Sequence, residues 1–370
     1  MRISQKLLVL CPYPVDVAPS QRFRIEQYLP ILQGHCIEVT MAPFLSASTM
    51  RVLYKDGYYL QKFLGVAAGF VRRLRLILTF HQYQHILVHR EATPIGPPIV
   101  EYLLFKFGKK VIYDFDDAIF IPKVSNANNF VLKLKCPWKV AYICKHAYWV
   151  CVSNLHLEGW AREQTHRVVV IPTPIELTDE YPTIRPSMRG RRIVIGWSGS
   201  HSTVRYLKLV EDVLAALSHN YDFEFIAICD VDPRLTSIKN YRFVPWRVST
   251  SISDLAQIDI GLMPVPHGAW ELGKLGFKSI LYSAVAAVPI VSDTGSPHEI
   301  VIDGETGYVV ENSPDSWTMA IQNLLENPGL ISKMGAAARS RIAAHFSIEA
   351  NAPAFLSLFD LPALSNGAKN

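Results

Sequence analysis

Lys274 and Lys278 stand four residues apart, where Gly273 and Gly276 give way to a helical pattern over about 275–286. That spacing puts both ammonium groups on one side of a helix start, where the helix dipole already carries positive charge. A bound diphosphate would supply the missing anion; two solvated lysines on a surface turn are the plain alternative. A second candidate anion site lies at Ile193-Val-Ile-Gly-Trp-Ser-Gly-Ser-His-Ser-Thr203. Here a strand runs through small residues (Gly199, Ser200, then His201) into a helix expected over about 203–218, with Ser202 or Thr203 near its cap. Small residues admit phosphate oxygens to the backbone, and a helix N-terminus offers unpaired N–H groups. The segment is neither GxGxxG nor a Walker motif, and an ordinary strand-to-helix turn has similar composition.

Asp114-Phe-Asp-Asp117 places three carboxylates at the carboxyl end of a strand, which is costly unless they are paired or used. Three uses are open: a substrate-facing carboxylate, ion pairs with nearby arginines, or a DxD-type divalent-metal site. His89-Arg90-Glu91 ends the preceding strand and points into the same space. Ser20, a plausible helix N-cap, is followed by Arg22 and Arg24, either anion binders behind the first strand or ordinary helix-face arginines.

The elements that must position these groups alternate. Aliphatic runs at 6–11, 37–41, 85–89, 110–113, 148–152 and 168–171 read as strands, most of them separated by helix-length segments; a helix is expected over 20–33. After Pro172-Thr-Pro174 the chain is polar and proline-bearing to Arg192. The pattern then restarts, with strands at 193–197, 223–228, 258–263, 289–292 and 307–310 and closing helices at 314–326 and 329–344. The fold class is α/β: two doubly wound parallel-sheet, Rossmann-like domains facing a cleft. Expected boundaries are 1–175, a linker over 176–192, a second domain over 193–345, and a tail over 346–370 that is helical and returns to the first domain.

A chain of 370 residues that is 49% hydrophobic and 19% charged can fill two cores and is not disordered. Its longest apolar stretch, 60–80, is broken by Lys62, Arg72, Arg73 and Arg75, so no bilayer-spanning helix is expected. Before Pro12 the apolar run is too short for a secretory signal. The six cysteines show no CxxC pair and read as core residues in a reducing compartment. Net charge is +7 over 1–180 and −2 over 181–370. The first half therefore either faces something anionic or carries a mildly basic solvated surface; no nucleic-acid signature accompanies the charge. Segment 70–80 is either a basic amphipathic helix against anionic lipid or a core-packing helix with a basic outer face.

The stretch from Ile258 to Val310, with its DIGLMP strand, Gly/Lys turn, KSILYSAVAAVPIVS helix and strand, and HEIVIDGETGYVV, resembles the donor-binding core of GT-B-fold glycosyltransferases of family 4. PSQRFRIEQYLPILQG, VHREATPIGPPIVEYLLFKFGKKVIYDFDDAIF, VVVIPTPIEL and VIGWSGSHSTVRYL extend the similarity over roughly 6–345. The resemblance implies a transferase that moves a sugar from a nucleotide diphosphate-sugar to an acceptor hydroxyl, on a glycan or lipid-linked sugar, with retention and without a metal or other cofactor. The family's two glutamates, spaced E-x7-E, fall on Lys274 and Tyr282. Glu271 could take the sugar-facing role, and Tyr282 could hydrogen-bond a ribose hydroxyl. The family's diphosphate-gripping Arg and Lys pair is absent from 196–203. By the resemblance, Lys278 stabilises the departing diphosphate, with Gly199, Ser200, His201, Thr203, Lys274 and Gly276 around the donor. Asp116 and Asp117 lie near the acceptor hydroxyl, with Arg22, Arg24, Arg90 and Glu91 on the acceptor side. Trp246 and Arg247 are the candidate base pocket. The expected location is the cytoplasm, peripheral on the inner face of the cell membrane. Another sugar-nucleotide enzyme, such as an epimerase, and a non-catalytic nucleotide-sugar-binding protein are the alternatives.

Overall fold

The structure, a computed structural model, describes residues 5–121, 135–178, 181 and 190–361. The chain divides into two compact units: Met1–Pro174 with Asn351–Asn370, and Ile175–Ala350. Of the segment read as a linker, 179–180 and 182–189 lie outside the described residues.

The first unit is built on β1 (Gln5–Cys11), β2 (Ile37–Pro43), β3 (His85–His89), β4 (Lys110–Phe115), β5 (Trp149–Val152) and β6 (Val168–Val170). They form one parallel sheet in the order β2-β1-β3-β4-β5-β6. Helices cover both faces of such a sheet, which is why β1 and β3 read as unbroken aliphatic runs and are buried along most of their length. The helix expected over 20–33 is three pieces: Pro19–Arg24, a 3-10 turn at Glu26–Tyr28, and Leu29–Gly34. Ile25 leaves the helical region at φ −126°, and Pro30 cannot continue a preceding helix. Ala18 is the N-cap, so Ser20 lies inside the first turn, its hydroxyl available for other partners. The chain returns at its C-terminal end through the helix Ile348–Ser357, where Phe355 stacks on Tyr28 with centroids 3.8 Å apart and Phe359 meets the edge of His85.

The helix Tyr59–Ile77 inverts the expected basic outer face. Arg73 is buried and donates to the carbonyls of Ala92, Ala42 and Cys11 at 2.7–2.9 Å, while Arg72 donates to the carbonyl of Phe44. Only Arg75 of the three points outward.

The second unit carries β7 (Ile193–Ser198), β8 (Phe223–Cys229), β9 (Tyr241–Pro245), β10 (Ile260–Met263), β11 (Val288–Ser292) and β12 (Tyr308–Val310). Its parallel order is β12-β11-β10-β7-β8-β9. The strand β9 was not anticipated: it is an edge strand whose side chains are partly exposed, so it lacks the aliphatic run of a central strand. The long helix expected after β7 is a 3-10 segment, Val204–Leu209, followed by the helix Glu211–Asn220. The helix Phe277–Ala284 starts after Gly276, whose φ of +96° is the left-handed conformation that glycine adopts without strain.

Candidate functional site

In the second unit the carboxyl end of β7 and the start of the Phe277–Ala284 helix converge. Lys278 is half-buried, with its ammonium 4.6 Å from the Trp197 ring centroid and its Nζ 3.4 Å from Thr203 Oγ1. Among the described residues it makes no ion pair. Burial, with nearby Lys274 adding repulsion, lowers its pKa to about 7. Trp197 is fully buried, and its ring is held by the absence of a side chain at Gly199, where a Cβ would lie 2.2 Å from the ring. The result is a cation on an aromatic face, with a second lysine near it and, among the described residues, no carboxylate paired with it.

The amides of the β7 loop do not supply the expected cradle. Ser198 N donates to Tyr282 Oη, Gly199 N to Ile228 O, Ser200 N to Thr203 Oγ1 and His201 N to Asp230 Oδ1. Thr203 N and Val204 N both donate to Ser200 O. The loop closes on itself and opens a 3-10 segment, so anion binding there falls to side chains. Tyr282 is likewise corrected: it is fully buried, and its phenol accepts from Ser198 N at 2.8 Å and donates to Leu262 O at 3.2 Å. The ring fits because Gly261 has no side chain, a Cβ there lying 2.3 Å from it. This phenol braces β7 against β10, and no part of it is exposed for the ribose contact expected of it.

Glu271 is half-buried and accepts from Tyr206 Oη at 2.7 Å. The turn holding Glu271 and Lys274 is pinned by the segment after β11: Ser296 N donates to Lys274 O, and Gly295 (φ +86°) passes so close that a Cβ would sit 2.5 Å from that carbonyl. His201 is exposed and pairs through Nδ1 with Asp230 at 2.6 Å. Trp246 and Arg247 are exposed just past β9, at the sheet edge, with Trp246 N anchored on Cys229 O.

The first unit gathers its chemistry at the carboxyl ends of β3 and β4, whose register sets His89 beside Asp114. Asp114 is buried and bonds Arg24 on one side and His89 Nδ1 at 2.7 Å on the other. Burial alone would raise its pKa, yet Arg24 and His89 outweigh that and hold it below the usual carboxylate range. His89 Nε2 lies 3.1 Å from Ser20 Oγ, so aspartate, imidazole and hydroxyl form one chain. Arg24 is buried in this ion pair and also caps Ile171 O, which removes it from the open acceptor side proposed for it. Arg90 adopts φ +60° and bridges Asp116 at 2.8 Å and Asp117 at 2.6 Å, the arginine-pairing alternative open for these carboxylates. Burial opposes ionisation of Asp116, but Arg90, His89 and Ser20 hold its pKa well below the usual range. Glu91 is paired with Lys139 at 2.6 Å. Arg22 is half-buried over the Phe23 ring and makes no ion pair among the described residues. No group of three His, Cys, Asp or Glu among the described residues is arranged to hold a metal ion.

Sequence reasoning missed Trp197, which resembles any other buried strand residue, and the Ser20–His89–Asp114 chain. His89 and the Asp114–Asp117 carboxylates were placed in one space from their positions at adjacent strand ends; what had no signal was the Ser20 hydroxyl joining them.

Residues 192–327 match the model of a family described as "Glycosyl transferases group 1". No curated protein sequence matches the chain. Among solved structures, sucrose-phosphate synthase from Thermosynechococcus elongatus superposes with a TM-score of 0.70 at 14% identity, covering 96% of this chain and 98% of that one. A glycosyltransferase from Rickettsia africae gives 0.70 at 13% identity, covering 97% and 98%. HepE of Anabaena, in complex with UDP and glucose, gives 0.66 at 14% identity, covering 96% and 100%. The two parallel six-stranded sheets with flanking helices are thus the GT-B fold of glycosyltransferases, two Rossmann-like domains.

Proposed function

We propose that the chain is a retaining glycosyltransferase of family 4 that takes a nucleotide diphosphate-sugar on its second unit and passes the sugar to a hydroxyl of a glycan or lipid-linked acceptor. The observation that carries this is Lys278: a half-buried ammonium on Trp197, without an acidic partner among the described residues, inside the segment that matches the group 1 family model. Such a cation is incomplete without an anion, and a diphosphate gains charge as it leaves. An interaction that strengthens toward the transition state accelerates the chemical step. Lys274 adds positive charge beside it, and Glu271, oriented by Tyr206, is the carboxylate available to sugar hydroxyls. Phosphate neutralisation by lysines needs no metal. On the first unit, Asp116 and Asp117 are both paired with Arg90 and form the acceptor-side candidate.

One feature favours a binding protein without turnover: the two positions of the E-x7-E pair hold Lys274 and an inward-facing Tyr282. A screen of nucleotide diphosphate-sugars with an acceptor panel separates the readings. Stoichiometric glycosylated product, with the donor's anomeric configuration by NMR, supports transfer with retention. Tight donor binding with no product supports the binding protein, and donor conversion without acceptor supports an epimerase-like enzyme.

A further inference from the structure

The helix Tyr59–Ile77 packs Phe70, Leu76 and Ile77 inward, yet it leaves a second apolar face uncovered. Its inner face is made of small and capped residues: a Cβ at Gly65 would lie 2.4 Å from Thr49 Oγ1, one at Gly69 would lie 2.7 Å from the Phe44 ring, and Arg73 is tied to three carbonyls. Leu76 and Ile77 pack on the core at its C-terminal end, but most of its other large aliphatic residues face outward. Leu60, Leu64, Val71, Leu74 and the following Leu78 are 70, 55, 46, 61 and 75% exposed. At 100° per residue these five, with Ala67, fall within an arc of about 80° that contains no charge. An exposed apolar stripe on this scale marks an interaction surface rather than ordinary scatter.

We infer that this face lies in the interfacial layer of an anionic lipid bilayer. No helix among the described residues is long and apolar enough to cross a membrane, so the helix would lie in the plane rather than span. Charge chooses lipid. Residues 51–78 hold six Lys and Arg against one acid, Asp56, and Arg51, Lys55 and Arg75 remain exposed beside the stripe after Arg72 and Arg73 turn inward. Tyr54, Tyr58 and Tyr59 are exposed at its N-terminal end, amphipathic rings suited to the headgroup level. The stripe supplies the anchor and the cations supply the preference for anionic lipid. The inference stands apart from the reading of the donor site.

Co-sedimentation of the full chain with phosphatidylglycerol and phosphatidylcholine vesicles tests it. The protein should partition onto phosphatidylglycerol, more weakly onto phosphatidylcholine, and the difference should shrink toward ~0.5 M salt as screening shortens. Leu64→Glu with Leu74→Glu should weaken partitioning at least tenfold without lowering the melting temperature, since both side chains are exposed. Met319→Glu, an equally exposed apolar position on the second unit, should change nothing. Undiminished binding by the double variant, or no binding of the wild-type chain to either vesicle, overturns the inference. Equal binding to both lipids removes its anionic part. A concentration-dependent dimer that the same substitutions dissolve, without vesicle binding, assigns the face to a second copy of the chain instead.

Discussion

A lysine with its pKa at about 7 makes donor binding depend on pH in a direction that can be worked out beforehand. Free Lys278 is protonated below that value and neutral above it. A nucleotide diphosphate-sugar carries fixed charge on both phosphates across this range, so its complex holds the lysine as ammonium. Binding above pH 7 must therefore take up a proton, about 0.9 at pH 8, and affinity must fall as pH rises. If the bound lysine stays charged throughout, the association constant drops about 25-fold between pH 6.5 and 8.5, or about 1.9 kcal/mol. A free nucleoside diphosphate would blur the effect, because its terminal phosphate gains charge in the same interval; the sugar-bearing donor is the proper ligand. Isothermal titration calorimetry in buffers of different ionisation enthalpy reads proton uptake and affinity together, starting from UDP-glucose in a donor panel. Lys278→Met should bind more weakly at pH 6.5 and lose both the uptake and the slope. Donor binding that is flat with pH, or an unchanged slope in Lys278→Met, would refute the placement of the diphosphate on this ammonium.

Other outcomes follow from the same geometry. Tyr282→Phe should destabilise the second unit by about 1–3 kcal/mol in denaturant titrations by stranding the buried Ser198 N–H, while leaving donor KM unchanged. Asp114→Asn should cost about 3–5 kcal/mol, because Arg24 is left buried without its counter-charge. In the wild-type chain the carboxyls of Asp114 and Asp116 titrate below their unfolded values, so their contribution is complete above about pH 4 and is lost as pH falls through the lower folded values; urea midpoints from pH 7 to 3 should show that decline. Transfer should persist in EDTA, since lysines neutralise the diphosphate; complete loss restored by Mn²⁺ would return Asp114 and Asp116 to a metal-binding role.

Much of the architecture was legible because parallel strands buried on both faces must be aliphatic throughout. The inner strands of the first sheet are largely buried, and its edge strands β2 and β6 were still visible as short β-branched runs. What escaped was decided by tertiary contacts. The edge strand β9 is only partly buried, so it has no unbroken aliphatic run, and the loop after β7 closes with Thr203 Oγ1 and Ser200 O rather than presenting amides. Tyr282 shows the limit most plainly. An alignment position suggested a ribose contact, but the empty space at Gly261 draws the ring inward. The arginines at 72 and 73 misled for a related reason: a long side chain beside two glycines can reach backbone carbonyls that composition does not reveal. Lys278 survives as a candidate because helix position and burial agree.

The most direct test of the central claim is transfer by wild-type chain and Lys278→Ala, with nucleoside diphosphate release and glycosylated acceptor measured in the same reaction. The account predicts one diphosphate released per product in the wild type. It also predicts a kcat/KM loss of about 10²-fold or more in the variant, the scale of removing one charge-stabilising donor at roughly 2.7–4 kcal/mol. Near-normal turnover by Lys278→Ala, with the variant folded and donor bound, would contradict it.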